Sequence, residues 1–269
     1  MEFIDCKKLA HNIKEDIRTK ISELGEVVTF AIVSSGNNDA NSVYEKNKIK
    51  DCEEVGILGN VHKLCNDSFY DNVYTISNQN TATIVQLPID KELDATKAIA
   101  QIDALADADC LTAENIGRVY NGTAEVFPAT ALGIVKVLES LGESLVGKDV
   151  VVVGRSLIVG KPIAELLIQR DCTVTICHSK TKNLQEKIDS ADIVIAAIGK
   201  AKHLVVNNPN AILIDVGINR DENGKLCGDF DIEKCNARLA TPVPGGIGLM
   251  TRACLLENIY NLAKNKSNK

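Results

Sequence analysis

A lysine on the less polar side of a helix is a costly placement, and residues 43–55 hold one. On a helical projection Tyr44, Lys48, Cys52 and Val55 share a stripe, while Lys46, Asn47, Lys50, Glu53 and Glu54 lie on the other side. Desolvation there disfavours the ammonium form, so the Lys48 pKa should fall toward the range useful for proton transfer. Tyr44, one turn earlier, reaches the same space. By itself the pattern is better accounted for by a snorkelling lysine beside a packed tyrosine.

A second chemical feature is the run from Asp149 through Val153 to Gly154, followed by Arg155-Ser156 and closed by Gly160-Lys161-Pro162. A buried parallel strand that ends in glycine and opens into a helix leaves backbone N–H groups free for a phosphate. The Gly-x5-Gly spacing is longer than the dinucleotide fingerprint G-x-G-x-x-G, so the turn should be an extended variant of that device. A turn that needs its glycines only for packing is the competing reading. The end of the next strand reads Cys177-His178-Ser179-Lys180, with no acidic side chain to hold ribose hydroxyls and repel a 2′-phosphate. Arg155 and Ser179 suit a 2′-phosphate, which favours NADP over NAD. Gly142 to Asp149 nearly spells a P-loop, but it ends in Asp where a metal-binding hydroxyl is required and precedes a strand instead of following one.

The elements that must carry these groups alternate along the chain. Leu9, Ile13, Ile17 and Ile21 follow a candidate cap at Asp5 and predict a helix. A strand is expected over 27–33, a helix over 40–55, a strand over 83–87 and helices over 95–105 and 130–141. Beyond Gly142, strands at 150–153, 173–177, 193–197 and 212–216 are separated by stretches long enough for crossover helices, the mark of a Rossmann-type parallel sheet. Thr241 to Gly248 reads as a rigid loop, 251–263 as a helix that returns to the first domain, and the basic tail from Lys264 as frayed.

Composition narrows the classes of function. The chain has 269 residues, 45% of them hydrophobic, and a net charge of −6 without long single-sign runs, so nucleic acid and membrane are not expected as partners. The first residues lack a basic and apolar leader, which predicts a cytoplasmic protein. Nine cysteines without a Cys-x-x-Cys pair, and four scattered histidines, predict neither a disulfide framework nor a metal site.

The set Tyr44-x-x-x-Lys48, Val85-Gln86-Leu87-Pro88, Asp107-Ala108-Asp109, Gly154-Arg155-Ser156 through Gly160-Lys161-Pro162, His178 to Thr181, Asp215 to Arg220 and Thr241 to Gly248 resembles, in order and over nearly the whole chain, the bifunctional methylenetetrahydrofolate dehydrogenase/methenyltetrahydrofolate cyclohydrolase family. The resemblance implies an α/β fold: an N-terminal catalytic domain (1–140 with the returning helix 251–269), a C-terminal Rossmann-type NADP domain (141–250) and a folate cleft between them. It implies a homodimer through the Rossmann domain. It makes Lys48 the general acid/base, Gln86 the amide that holds it, Asp109 the pterin anchor and Tyr44 the ring that packs on the aminobenzoyl group. Val85, Leu87, Pro244, Gly245 and Gly246 are expected to touch the folate, and Gly154, Arg155, Ser156, Gly160, Ser179 and Ile218 the NADP.

From the residues alone, Gln86 could equally be a strand-end amide bonded to backbone, and Asp109 a helix cap. The chain also departs from the family pattern at Ala106, Thr112, Ala113, Ala131, Leu157 and Leu249, and the stretch from Ile57 to Gln86 is short. These departures leave room for a dehydrogenase with weak cyclohydrolase activity or for a non-catalytic nucleotide sensor. The intact Tyr44, Lys48, Gln86 and Asp109 set argues against the latter.

Overall fold

The computed structural model describes residues 1–36 and 39–267. In chain order the elements are β1 (Glu2–Phe3), α1 (Cys6–Leu24), β2 (Thr29–Ser35), α2 (Asp39–Val55), β3 (Leu58–Leu64), α3 (Phe69–Gln79), β4 (Ala82–Val85), α4 (Ala95–Ile99), α5 (Ala113–Tyr120) and α6 (Ala129–Glu139). There follow β5 (Asp149–Val153), α7 (Gly160–Ile168), β6 (Thr173–Cys177), α8 (Leu184–Ser190), β7 (Ile193–Ala196), β8 (Ile212–Asp215), β9 (Asn219–Arg220), β10 (Leu226–Cys227), β11 (Leu239–Ala240) and α9 (Ile247–Ser267). Contacts divide the chain into two compact units: Met1–Ala10 with Thr130–Thr251, and His11–Ala129 with Arg252–Lys269.

The first unit is built on a six-stranded sheet in the order β1-β11-β8-β7-β5-β6, parallel throughout. Its central strands are near-continuous valine and isoleucine because helices cover both faces of a parallel sheet. Val151, Val153, Val194, Ala196 and Leu213 pack with Leu204 and Phe230 in one core. The sequence expectation placed the boundary at 140/141, and the observed division falls before Thr130. Gly133 of α6 lies so close to Met250 that a β-carbon there would sit 3.0 Å from the Met250 Cβ, which packs α6 within this unit. The opening strand β1 also joins this sheet, pairing Glu2 with Leu239 and Phe3 with Ala240. Two-residue strands carry too little periodicity to be read from sequence.

The second unit has a three-stranded parallel sheet, β3-β2-β4. Side chains alternate across it. Ala31, Val33 and Val85 pack on Phe69, Val73, Ile76 and Ile102, while Phe30, Ile32 and Ile84 are buried on the opposite face. Asp5 does cap α1, its Oδ1 accepting from the Lys8 amide at 2.9 Å. The strand expected at 27–33 begins two residues later, and the stretch that looked short holds β3 and α3.

The helix expected over 95–105 stops at Ile99. From there i to i+3 turns take over, the Ile102 amide donating to the Ile99 carbonyl, and Asp103 closes them by accepting from the Leu105 amide at 2.9 Å. The tail expected to fray from Lys264 instead continues α9 to Ser267. Lys266 Nζ donates to the Asn80 carbonyl and Ser267 Oγ to Glu26, docking the last turn. Residues 268–269 of that expected tail lie outside the described residues. No described helix is long and apolar enough to cross a membrane.

Candidate active site

In the three-stranded unit the expected catalytic residues gather at the carboxyl ends of parallel strands, where α/β sheets present ligand sites. The ladder extends one residue past β4, the Gln86 amide donating to the Val33 carbonyl at 2.8 Å. That fixes Gln86 on the face opposite Val33 and Val85. Its side-chain carbonyl accepts from Lys48 Nζ of α2 at 2.9 Å, and its amide donates to the Leu87 carbonyl at 2.8 Å. Both ends of the amide are used, so Gln86 has one orientation in which its oxygen faces the amine. Lys48 is half-buried, and burial lowers its pKa against the opposing charges of Asp109, Cys52 and Glu45.

Asp109 arrives by a different route. Thr83 of β4 bridges to Asp107 in parallel, the Thr83 amide donating to the Ala106 carbonyl at 2.6 Å and the Ala108 amide to the Thr83 carbonyl at 3.2 Å. The stretch 106–108 thus lies against the edge of β4. Asn258 of α9 donates to the Ala108 carbonyl, and Cys110, with φ of 55°, turns the chain sharply after Asp109. Thr112 caps α5, and Asp107 accepts from the Thr112 amide and the Asn115 side chain. Asp109 is therefore not a helix cap, and among the described residues its carboxylate accepts no hydrogen bond. Burial raises its pKa, with Lys48 opposing and Asp107 assisting that rise.

Tyr44 is 47% exposed and borders the stripe; among the described residues of the helix the buried positions are Glu45, Asp51, Cys52 and Val55, with Lys48 half-buried among them. Val85 is buried in β4, and Leu87 is half-buried beside Gln86.

The six-stranded unit carries the expected phosphate turn. Gly154, at φ of 133°, ends β5 so close to the Ala197 carbonyl that no β-carbon fits, and a β-carbon on Gly160 would strike the Gly154 carbonyl. Ser156 Oγ accepts from the Val159 amide at 3.1 Å and the Gly160 amide at 3.4 Å, holding the loop against the start of α7. Arg155 and Ser179 are exposed and make no side-chain hydrogen bond among the described residues. The turn after β6 is shaped by its neighbours instead, Thr181 Oγ1 accepting from the His178 amide at 2.8 Å. A cradle that excludes β-carbons, with a free guanidinium and hydroxyl at its rim and no acid, fits an NADP phosphate.

Ile218 is 49% exposed, on a segment fixed by Asp215, whose carboxylate accepts from the Gly217, Asp229 and Phe230 amides. Burial outweighs those donors and pushes Asp215 up to about 6. Pro244 and Gly245 are exposed and Gly246 is buried, on the loop between β11 and α9. These three belong to this unit and not to the one that carries Lys48.

The sequence pattern of the tetrahydrofolate dehydrogenase/cyclohydrolase catalytic domain matches residues 4–109, and that of the same family's NAD(P)-binding domain matches residues 128–267. The chain belongs to the tetrahydrofolate dehydrogenase/cyclohydrolase family. It is 40% identical to the bifunctional protein FolD of Lachnoclostridium phytofermentans, covering 97% of this chain and 98% of the relative. It superposes on the bifunctional FolD methylenetetrahydrofolate dehydrogenase/cyclohydrolase of Campylobacter jejuni with a TM-score of 0.93, at 36% identity and 99% coverage of both chains. The Trypanosoma brucei enzyme, solved with NADP cofactor and an inhibitor, aligns with a TM-score of 0.90 at 28% identity, covering 99% of this chain and 98% of that one.

Within this family member, sequence reasoning missed the residues that hold the site in place. Asp51 on α2, 1% exposed, accepts from Lys14 of α1 and, twice, from Arg252 of α9, with Nη2 to Oδ1 at 2.7 Å. It locks the helix that bears Lys48 to two others. Asn258, fully buried, ties α9 to the Asp109 segment and to the Phe127 carbonyl. A polar residue at a core position of a helical pattern was the available signal in both cases. No group of three metal-ligating side chains occurs among the described residues.

Proposed function

We infer that this protein oxidises 5,10-methylenetetrahydrofolate to the methenyl form with NADP⁺ and hydrolyses the product to 10-formyltetrahydrofolate. The observation that carries this reading is the Lys48 amine, lowered in proton affinity by burial and held at 2.9 Å by Gln86, with the unbonded Asp109 carboxylate acting on its charge. Asp109 accepts a pair of N–H bonds from the amidine-like edge of the pterin, recognition that suits a carboxylate. Tyr44, half-exposed one turn before Lys48, offers its ring to the aminobenzoyl group. Val85 and Leu87, and Pro244 with Gly245 and Gly246, complete the folate contacts in this reading.

Bound NADP⁺ supplies the hydride acceptor. The turn from Gly154 through Ser156 to Gly160, which leaves no room for β-carbons at its two glycines, takes the phosphates of the cofactor, Arg155 and Ser179 take the 2′-phosphate, and Ile218 lies against it. In the hydrolytic step Lys48 accepts a proton from the water that adds to the methenyl carbon. It returns that proton to the ring nitrogen as the carbon–nitrogen bond opens, while the hydroxyl on the same carbon loses its remaining proton to solvent and becomes the formyl carbonyl. The amine must lose and regain a proton near neutral pH, which is what burial prepares it for.

A homodimer belongs to this reading. It is supported by the family resemblance and by the outer strand β6, where Thr175 and Ile176 are exposed. The test is an assay of purified protein with methylenetetrahydrofolate and NADP⁺, followed at two wavelengths that separate NADPH from the methenyl compound. NADPH formation with little methenyl accumulation is expected. Stoichiometric methenyl accumulation would leave only a dehydrogenase, and no consumption of substrate would refute the function.

A further inference from the structure

Glu45 stands three residues before Lys48 on α2 and is 4% exposed. Its Oε1 is enclosed and meets no hydrogen-bond donor among the described residues. A carboxylate oxygen enclosed without a donor is penalised unless a cation compensates its charge. Residues three apart on a helix are neighbours, so Lys48 is the cation within its reach along α2. The groups whose charge bears on Lys48 are Glu45 and Cys52 from α2 itself and Asp109 from the segment beside β4, with the Gln86 amide as neutral acceptor. Burial loosens the proton on this amine, and the two carboxylates oppose that effect.

We propose that Glu45 is a positioning residue for Lys48: its buried side chain, one helical turn before Lys48 on α2, sets how tightly the Lys48 amine holds its proton. The inference rests on Lys48 being the acid/base of the proposed function, and it separates the two carboxylates by task. Asp109 hydrogen-bonds the pterin, so in the substrate complex its charge is shared with the ligand's own N–H groups. Glu45 has no such engagement. It keeps its influence on Lys48 throughout the reaction, so the amine regains its proton after each transfer instead of remaining neutral in its buried setting.

The experiment is the pH profile of methenyltetrahydrofolate hydrolysis by the full-length protein, compared with E45Q, E45D and K48M. Removing the carboxylate destabilises the ammonium form, so in E45Q the limb governed by Lys48 should move to lower pH by about one unit. E45D, which keeps the charge, should restore most of the parental profile. NADP⁺ affinity should be unchanged in both. An E45Q profile that coincides with the parent's, while K48M is inactive, would overturn the role of Glu45 alone. An active K48M would instead topple the Lys48 assignment on which it rests. Should E45Q not fold, E45V removes the same charge with an apolar group and must give the same shift; unfolding of both variants would mark Glu45 as structural and overturn the proposal.

Discussion

Replacing Lys48 with methionine removes the amine while keeping an unbranched side chain of similar length. Two opposing effects act on stability. The hydrogen bond to Gln86 Oε1 at 2.9 Å is lost, and a bond from a charged donor is worth about 1.5–3 kcal/mol. Against this, an amine whose charged form is disfavoured by burial no longer has to be accommodated. The two terms have opposite signs and similar size, so global stability should change by no more than about 1–2 kcal/mol. Catalysis has no such compensation. A general acid/base contributes roughly 10² to 10⁴ in rate, or about 3–5 kcal/mol of barrier, and methionine cannot accept or return a proton. Disappearance of methenyltetrahydrofolate, monitored in a stopped assay, should therefore slow by at least about a hundredfold. Calorimetric NADP⁺ binding and the urea midpoint should stay near those of the parent. Hydrolysis within about threefold of the parent would refute the assignment of Lys48.

Asp109→Ala should weaken folate binding about a hundredfold in an inhibitor titration, because the pterin edge loses its charged acceptor; an unchanged dissociation constant would show that the carboxylate does not anchor the substrate. Arg155→Ala should weaken NADP⁺ about tenfold to a hundredfold while sparing NAD⁺, since only the former carries the 2′-dianion, and equal loss of both would reassign Arg155 to the pyrophosphate or the loop. Asp51→Ala leaves Lys14 and Arg252 around a deleted carboxylate and should cost about 3 kcal/mol in urea unfolding, as expected for breaking a buried ion pair from one side. A loss below about 1 kcal/mol would mean that α2 is held by its apolar contacts alone.

What the sequence determined by itself were features fixed by local sterics and periodicity. The valine run that ends at Gly154 reads as a covered parallel strand opening into a helix through a glycine-bounded turn, whereas the Ala197 carbonyl that leaves no room for a β-carbon on Gly154 comes from the end of a strand distant in sequence. The Lys48 stripe was legible because helical spacing places residues three and four apart on one side. The burial of Glu45 was not, because a charged residue at the edge of a polar helix looks solvated until the neighbouring elements are in place.

The tertiary structure alone decided which polar residues are partners. Arg252 and Asp51 are 201 residues apart, and Asn258 and Ala108 are 150 apart. Neither pairing leaves a periodic trace, since a single long-range hydrogen bond constrains two positions and no spacing between them. The same reason explains the short strands and the boundary. Glu2 and Phe3 become a strand only because β11 offers them an edge, and α6 joins the six-stranded unit because Gly133 admits Met250 against its backbone. Chemistry that depends on a residue's own type and its near neighbours was written along the chain. Chemistry that depends on what desolvates and pairs that residue exists only once distant segments have packed around it.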